Sequence, residues 1–190
     1  MLVLLRIIIT VLAVGYPLLV YFGLRVTGAS AFGIVLAGVL SLRLITSLQT
    51  LDKKHCALYL LLIVYSLAIS VVNSEGLLRF YPVIINLALG SLFILSVLTN
   101  KPLITETLIK LKQPVPAEAI TYLYWLTFLW GLLLIANAGV AAYTACCMSL
   151  AQWTLYNGVL SYLIFAVFFL LECVFRLWFK HRKKFETPQI

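Results

Sequence analysis

Charge is the scarcest commodity in this sequence. Only 11% of the 190 residues are Asp, Glu, Lys or Arg, and six of them are acids. A soluble domain is about 25% charged and about 45–50% apolar. Here 64% of residues are hydrophobic and the mean hydropathy is +1.10. That balance excludes a soluble globular protein, a disordered chain, a coiled coil and a disulfide scaffold. Histidine is nearly absent: His55 and His181 flank apolar segments, and neither falls inside one. No two carboxylates stand at helical spacing, and the zinc-protease, nucleophile-elbow, P-loop and dinucleotide fingerprints are all lacking. Hydrolysis or phosphoryl transfer needs an acid–base or metal constellation. The expectation is therefore a chain without metal or cofactor that leans away from catalysis, with a membrane site built from Asn, Tyr and Arg as the alternative. Cysteine is sparse and carries no ligand spacing. Cys56 and Cys173 lie near one set of segment ends, and the adjacent Cys146 and Cys147 near the other.

What is present is apolar sequence in long uncharged runs. A transmembrane helix needs about 20 mostly apolar residues. Residues 7–24, 26–42, 56–74 and 80–100 are each free of charge. Residues 119–171 form an uncharged run of 53, too long for one span but enough for two around a short polar turn near 148–153. The expected fold class is all-α, a polytopic transmembrane helical bundle of six spans. They cover about 2–24, 28–46, 56–73, 80–98, 119–144 and 154–176, within one membrane domain, 1–190. The second span is short and Arg43 lies near its end, so a re-entrant or interfacial segment is the alternative there. It does carry Ala29, Gly33 and Ala37 at a spacing of four, which lets helix backbones approach closely in lipid. A β-barrel would alternate apolar and polar residues, and the run 58–64 does not. Residues 1–9 lack a separate basic region and a clean cleavage site follows nowhere, so no cleaved signal peptide is expected.

The basic residues orient the bundle. With six spans, twelve of the fourteen Lys and Arg fall on the side shared by both termini, and only Arg25 and Arg79 on the other. Cytoplasmic loops carry the excess of Lys and Arg, so both termini are expected in the cytoplasm. The net charge of +8 is thus topological rather than a sign of nucleic-acid binding. Arg176 to Lys184, opening the basic cytoplasmic tail 177–190, reads as a stop-transfer anchor that can attract anionic headgroups, with a specific lipid or partner site as the alternative. The one long loop contains Pro102, Pro114 and Pro116. Within it, 101–113 reads as a cytoplasmic amphipathic segment. Glu106 and Lys110 form an i,i+4 pair, and Ile104, Leu108 and Leu111 line another face. A plain solvated connector is the alternative.

Polar residues at membrane depth are the best pointers to a site. Pro82, Asn86 and Gly90 share a face of the fourth span. Asn137 lies seven residues after Trp130 in the fifth, and Asn157 opens the sixth. By helical rise, Asn86, Asn137 and Asn157 reach similar depth in the outer half. Arg79, Tyr81, Trp153 and Tyr156 sit at the interface above them. These seven form a candidate polar pocket for a headgroup or substrate; interhelical hydrogen bonding is the competing account. Glu172 is the lone acid inside a span. An ion pair with Arg176 is its simplest role, and a proton-coupling carboxylate the other. Gly15-Tyr16-Pro17 and Phe80-Tyr81-Pro82 are faintly similar at an offset of 65 residues, as in a 3+3 repeat.

The run Arg79-Phe-Tyr-Pro-Val-Ile-Ile-Asn86, then Asn137, then Trp153-x-x-Tyr156-Asn157-Gly158 and Glu172, resembles a family of bacterial membrane proteins. Members lie beside aryl-polyene and xanthomonadin-type pigment biosynthesis genes, and the family is distantly similar to intracellular septation protein A. The resemblance covers about 76–180; the first three spans match in hydropathy alone. It implies a bacterial inner-membrane location and an envelope or lipid-pigment context, with membrane lipids and envelope or polyene-biosynthesis proteins as partners. It supplies no catalytic residue. The leading expectation is a non-enzymatic envelope protein that supports the synthesis or handling of a lipid-linked polyene, or envelope maintenance. A small transporter or flippase, and a membrane enzyme acting on acyl or polyene lipids, are the alternatives.

Overall fold

A computed structural model describes residues 15–24, 27–47 and 53–186. The start of the first expected span (2–14), Arg25 and the last residues of the basic tail (187–190) lie outside the described residues. Every regular element among the described residues is helical. The helices are α1 (Tyr16–Gly23), α2 (Ala29–Ser47), α3 (Lys53–Val72), α4 (Glu75–Leu98), α5 (Leu103–Lys110) and α6 (Ala119–Cys147). They are followed by α7 (Leu150–Leu155), a π-helical turn (Tyr156–Leu160) and α8 (Ser161–Glu186), which run on without a break. Three helical stretches are long and apolar enough to cross a membrane: Glu75–Leu98, Ala119–Cys147 and Leu150–Leu177. Ala29–Ile45 and Cys56–Val72 are shorter apolar helices.

Two helix pairs build the molecule. In the first, α2 packs against α3. Gly33 lies at their crossing, where an added Cβ would stand 2.6 Å from both Ser66 O and Ser70 N. Backbone thus touches backbone, with buried Ala29 and Ala37 on either side. Asn73 ties one end of this pair, joining the C-terminus of α3 to the N-terminus of α2. It leaves α3 in the left-handed conformation, φ 50°, which Asn tolerates better than most residues. Its Oδ1 accepts from the Ser30 N–H at 2.8 Å and so caps the start of α2.

In the second pair, α4 runs antiparallel to α6. Gly90 and Gly131 face each other: a Cβ on Gly90 would come within 2.8 Å of Ile135, and one on Gly131 within 2.7 Å of Ile94. The main core cluster joins the two pairs. Tyr16 and Val20 of α1, Leu62 and Ile69 of α3, Leu78 and Tyr81 of α4, and Trp153 of α7 meet there. Outward faces are apolar and open. Only 6% of the most apolar stretch within Leu150–Leu177 is buried inside the protein, as suits a helix surrounded by hydrocarbon.

Several helix ends differ from the expected spans, each for a physical reason. Helix α4 starts at Glu75 rather than near residue 80, because Ser74 caps it, accepting from Leu77 N, and Glu75 faces the positive end of the dipole. Arg79 therefore lies inside a helix. The last long helix begins at Leu150 rather than near 154, because Ser149 and Gln152 form a capping box. Helix α6 continues to Cys147, three residues beyond the expected end, and stops where Met148 turns extended.

Candidate functional site

The site grows from one residue, Pro82, inside α4. Proline has no N–H and its ring crowds the carbonyl four residues back. The Leu78 carbonyl therefore lacks the amide donor four residues on. Tyr16 of α1 supplies one, its hydroxyl donating to Leu78 O at 2.8 Å. The flanking carbonyls are served in the same manner. Tyr65 of α3 donates to Leu77 O at 2.8 Å, and the Trp153 indole Nε1 donates to Arg79 O at 3.0 Å. Three consecutive carbonyls of α4 thus receive aromatic donors from three other helices. The Tyr16 and Tyr81 rings pack at 5.0 Å, bringing together the two Tyr-Pro pairs.

The Arg79 side chain reaches the other way. Its Nη2 donates to Thr144 O at 3.1 Å and to Met148 O, so the guanidinium closes the C-terminus of α6. Cations are favoured at this end of a helix dipole, where carbonyls lack intrahelical donors. Arg79 Nε is buried without a partner. Thr144 links this corner to α7 and the π turn, its Oγ1 accepting from Asn157 Nδ2 at 3.2 Å. The same Asn157 amide donates to Trp153 O at 2.9 Å. One turn away, the Tyr156 hydroxyl donates to Asn137 Oδ1 at 2.8 Å. Asn137, Asn157 and Trp153 are all buried.

Of the seven candidate residues, the structure joins five at this corner. Arg79 bonds Trp153 through its carbonyl, Trp153 bonds Asn157, and Tyr156 bonds Asn137, all on the shared wall of α4, α6, α7 and the π turn. Tyr81 is buried in the aromatic cluster beside them. Asn86 stands apart, with its amide donating to Pro82 O of its own helix at 2.8 Å. The three asparagines therefore do not meet one another. Sequence reasoning missed Thr144, Met148, Tyr16 and Tyr65. Thr144 was findable: it lies seven residues after Asn137 on the same face of α6. The Met148 contribution is a backbone carbonyl and leaves no trace in residue type.

Glu172 sits at the far end of α8. Its Oε1 accepts from the Tyr122 hydroxyl of α6 at 2.6 Å and lies 3.6 Å from Arg176 Nε. Tyr122 also stacks on Phe175, and Trp130 on Phe165. Long side chains thus hold α8 to α6. Among the described residues, no three of His, Cys, Asp and Glu gather as a metal-binding group. Chemically, this corner ties α4, α6, α7 and the π turn together through side-chain-to-backbone bonds and the Tyr156–Asn137 pair, with Arg79 Nε left over. No family model, curated protein or solved structure matches this chain.

Proposed function

We propose that the chain is a multi-pass protein of the bacterial inner membrane, with six spans and both termini in the cytoplasm. In this reading it works without catalysis, as a structural or anchoring component of the envelope. It supports the synthesis or handling of a lipid-linked product of the aryl-polyene type, or envelope maintenance. The observation that carries the non-catalytic part is the use of the polar residues. Arg79, Asn137, Trp153, Tyr156 and Asn157 are engaged in helix-to-helix hydrogen bonds, and Asn86 within its own helix. An enzyme site would instead turn Arg79, Tyr81, Asn86 and Asn157 toward one point. The uncharged runs and the distribution of Lys and Arg support the topology. The residue pattern of 79–172 supports the pigment context.

The test is lipid extraction and mass spectrometry on cells lacking the gene, complemented with wild type or with Asn86→Ala plus Asn157→Ala. The expected result is a changed polyene-type lipid in the deletion, restored by both forms when their membrane levels are equal. Failure of the variant at normal levels would favour a ligand pocket, as in a flippase or lipid enzyme. An unchanged lipid profile in the deletion would overturn the pigment context and leave general envelope maintenance.

A further inference from the structure

Where α4 ends and α6 begins, the chain is stopped twice by the same device. After α4, Asn100 takes φ 55°. Its N–H bonds Val97 O at 3.0 Å, and the Lys101 N–H reaches back to Ser96 O at 2.9 Å. After α5, Lys112 takes φ 54°. Its N–H bonds Ile109 O at 2.9 Å, and the Gln113 N–H reaches Leu108 O at 3.0 Å. Both are Schellman stops, whose left-handed position normally holds glycine or asparagine. Lysine is a poor residue for that conformation. Its presence fixes a cation on a rigid turn, at a position where glycine would hold the same turn with less strain.

Between the two stops lies an open groove of about 580 Å³. Asn100, Lys101, Thr105, Glu106, Lys112 and Gln113 form its polar lining, and Ile109 and Ile120 are part of its apolar lining. Both lysines are exposed, and neither forms an ion pair among the described residues. Thr105 Oγ1 is buried without a hydrogen-bond partner. Two free cations, an unused hydroxyl and an apolar flank at the ends of two apolar helices match a phosphate joined to acyl chains. Glu106 disfavours a bare phosphate dianion but accepts from a hydroxyl on a headgroup.

We propose that this groove holds the headgroup of an anionic glycerophospholipid of the phosphatidylglycerol kind. Lys101 and Lys112 face its phosphate, the Thr105 hydroxyl reaches it by turning about χ1, and Glu106 accepts from its glycerol hydroxyls. Ile109 and Ile120 lie against the first methylenes. The proposal rests on the membrane reading above, with this face toward the cytoplasmic leaflet. A juxtamembrane lysine near an anionic leaflet is worth about fivefold in binding, from roughly 1 kcal/mol each.

The experiment uses the full chain purified in detergent and reconstituted in nanodiscs. Native mass spectrometry reads retention of phosphatidylglycerol against phosphatidylcholine and phosphatidylethanolamine. Wild type is expected to retain phosphatidylglycerol selectively. Lys101→Gln plus Lys112→Gly should lose that selectivity by about 25-fold, from two lysines at about fivefold each. Lys112→Gly alone should lose about fivefold while its melting temperature stays level or rises, because it relieves the left-handed lysine. Lys110→Gln, outside the groove, should retain the lipid. Equal loss in Lys110→Gln would reduce the effect to diffuse surface charge and overturn the site. Displacement by millimolar inorganic phosphate would make this a free-phosphate site and overturn the lipid assignment, as would a preference for ethanolamine or choline lipid. A chain that extracts from membranes without detergent and does not enter nanodiscs would defeat the membrane reading itself. One that enters nanodiscs and shows no selectivity defeats the groove alone.

Discussion

Tyr16→Phe removes a single hydroxyl, and its cost follows from what that hydroxyl serves. Pro82 has no N–H to offer, so the Leu78 carbonyl depends on Tyr16. Tyr16 is 6% exposed and Leu78 0%, which leaves water no route to the orphaned oxygen. A buried acceptor left unmade costs about 1–3 kcal/mol. Interhelical hydrogen bonds in membranes average about 0.6 kcal/mol and reach about 1.7, because most groups find substitutes. Leu78 O lacks the amide donor four residues on, so the upper part of that range applies, about 1–2 kcal/mol. That is roughly a five- to thirty-fold change in the folded ratio. The decisive arm is Pro82→Ala, which restores an N–H four residues after Leu78. In that background Tyr16→Phe should cost less than about 0.5 kcal/mol, a coupling of about 1 kcal/mol between two residues in contact through one carbonyl. Reversible unfolding in mixed micelles, followed by the fluorescence of the four tryptophans, reads all four members of the cycle. Equal costs of Tyr16→Phe in the wild-type and Pro82→Ala backgrounds would refute the reasoning.

Three further outcomes are expected in the same assay. Gly33→Leu puts a side chain into the backbone of Ser66 and Ser70, 2.6 Å away, and should cost at least about 2 kcal/mol. Gly38→Leu, where an added Cβ meets nothing within 4 Å, should be near neutral, and equal effects would contradict the α2–α3 crossing. Arg79→Leu uncovers the Thr144 and Met148 carbonyls and should cost about 2 kcal/mol, as charged hydrogen bonds do. It should also speed amide exchange in the last turns of α6 more than in its first; uniform acceleration would argue against a local capping role. Glu172→Gln keeps an acceptor for Tyr122 and should change stability by less than about 0.5 kcal/mol, whereas Glu172→Leu removes that acceptor and the Arg176 pair and should cost about 1 kcal/mol. A folded Glu172→Gln protein that fails to complement the deletion would assign the carboxylate to proton transfer.

The helices were legible wherever one chemical requirement decided the pattern. Ala29, Gly33 and Ala37 announce a close crossing by spacing alone, and the structure places Gly33 at the α2–α3 contact with both alanines buried. The ends were harder. Charge was read as the limit of a span, which put the start of the fourth span after Arg79. The Ser74-Glu75 pair carried the better signal, since a cap and a first-turn acid mark an N-terminus directly. Arg79 is tolerated inside α4 because the C-terminal carbonyls of α6 receive its guanidinium. That compensation comes from a segment 65 residues away. The Ser149-x-x-Gln152 capping box was equally local and equally readable.

The site was legible in face, but not in partnership. Asn137 and Asn157 are buried on inward faces and Asn86 is half-buried, yet each has satisfied its amide elsewhere. Their acceptors and donors include Pro82 O, Trp153 O, Thr144 and Tyr156. Half of such partners are backbone carbonyls, which every residue owns and no residue advertises. Proline is the exception, because in a long apolar run it declares an orphaned carbonyl four residues back. That declaration is enough to start a search for donors, and Tyr16, Tyr65 and Trp153 are what the search should find. The result bears on function. A proline-kinked helix whose carbonyls stay open to water or substrate behaves as a hinge or a binding segment. Here Leu77, Leu78 and Arg79 are each stopped by an aromatic donor from a different helix. Movement of α4 about Pro82 would have to break those three bonds together. Pro82 therefore marks the point where α1, α3 and α7 are tied to α4, and this tie supports the proposed scaffold reading over the proposed transporter alternative.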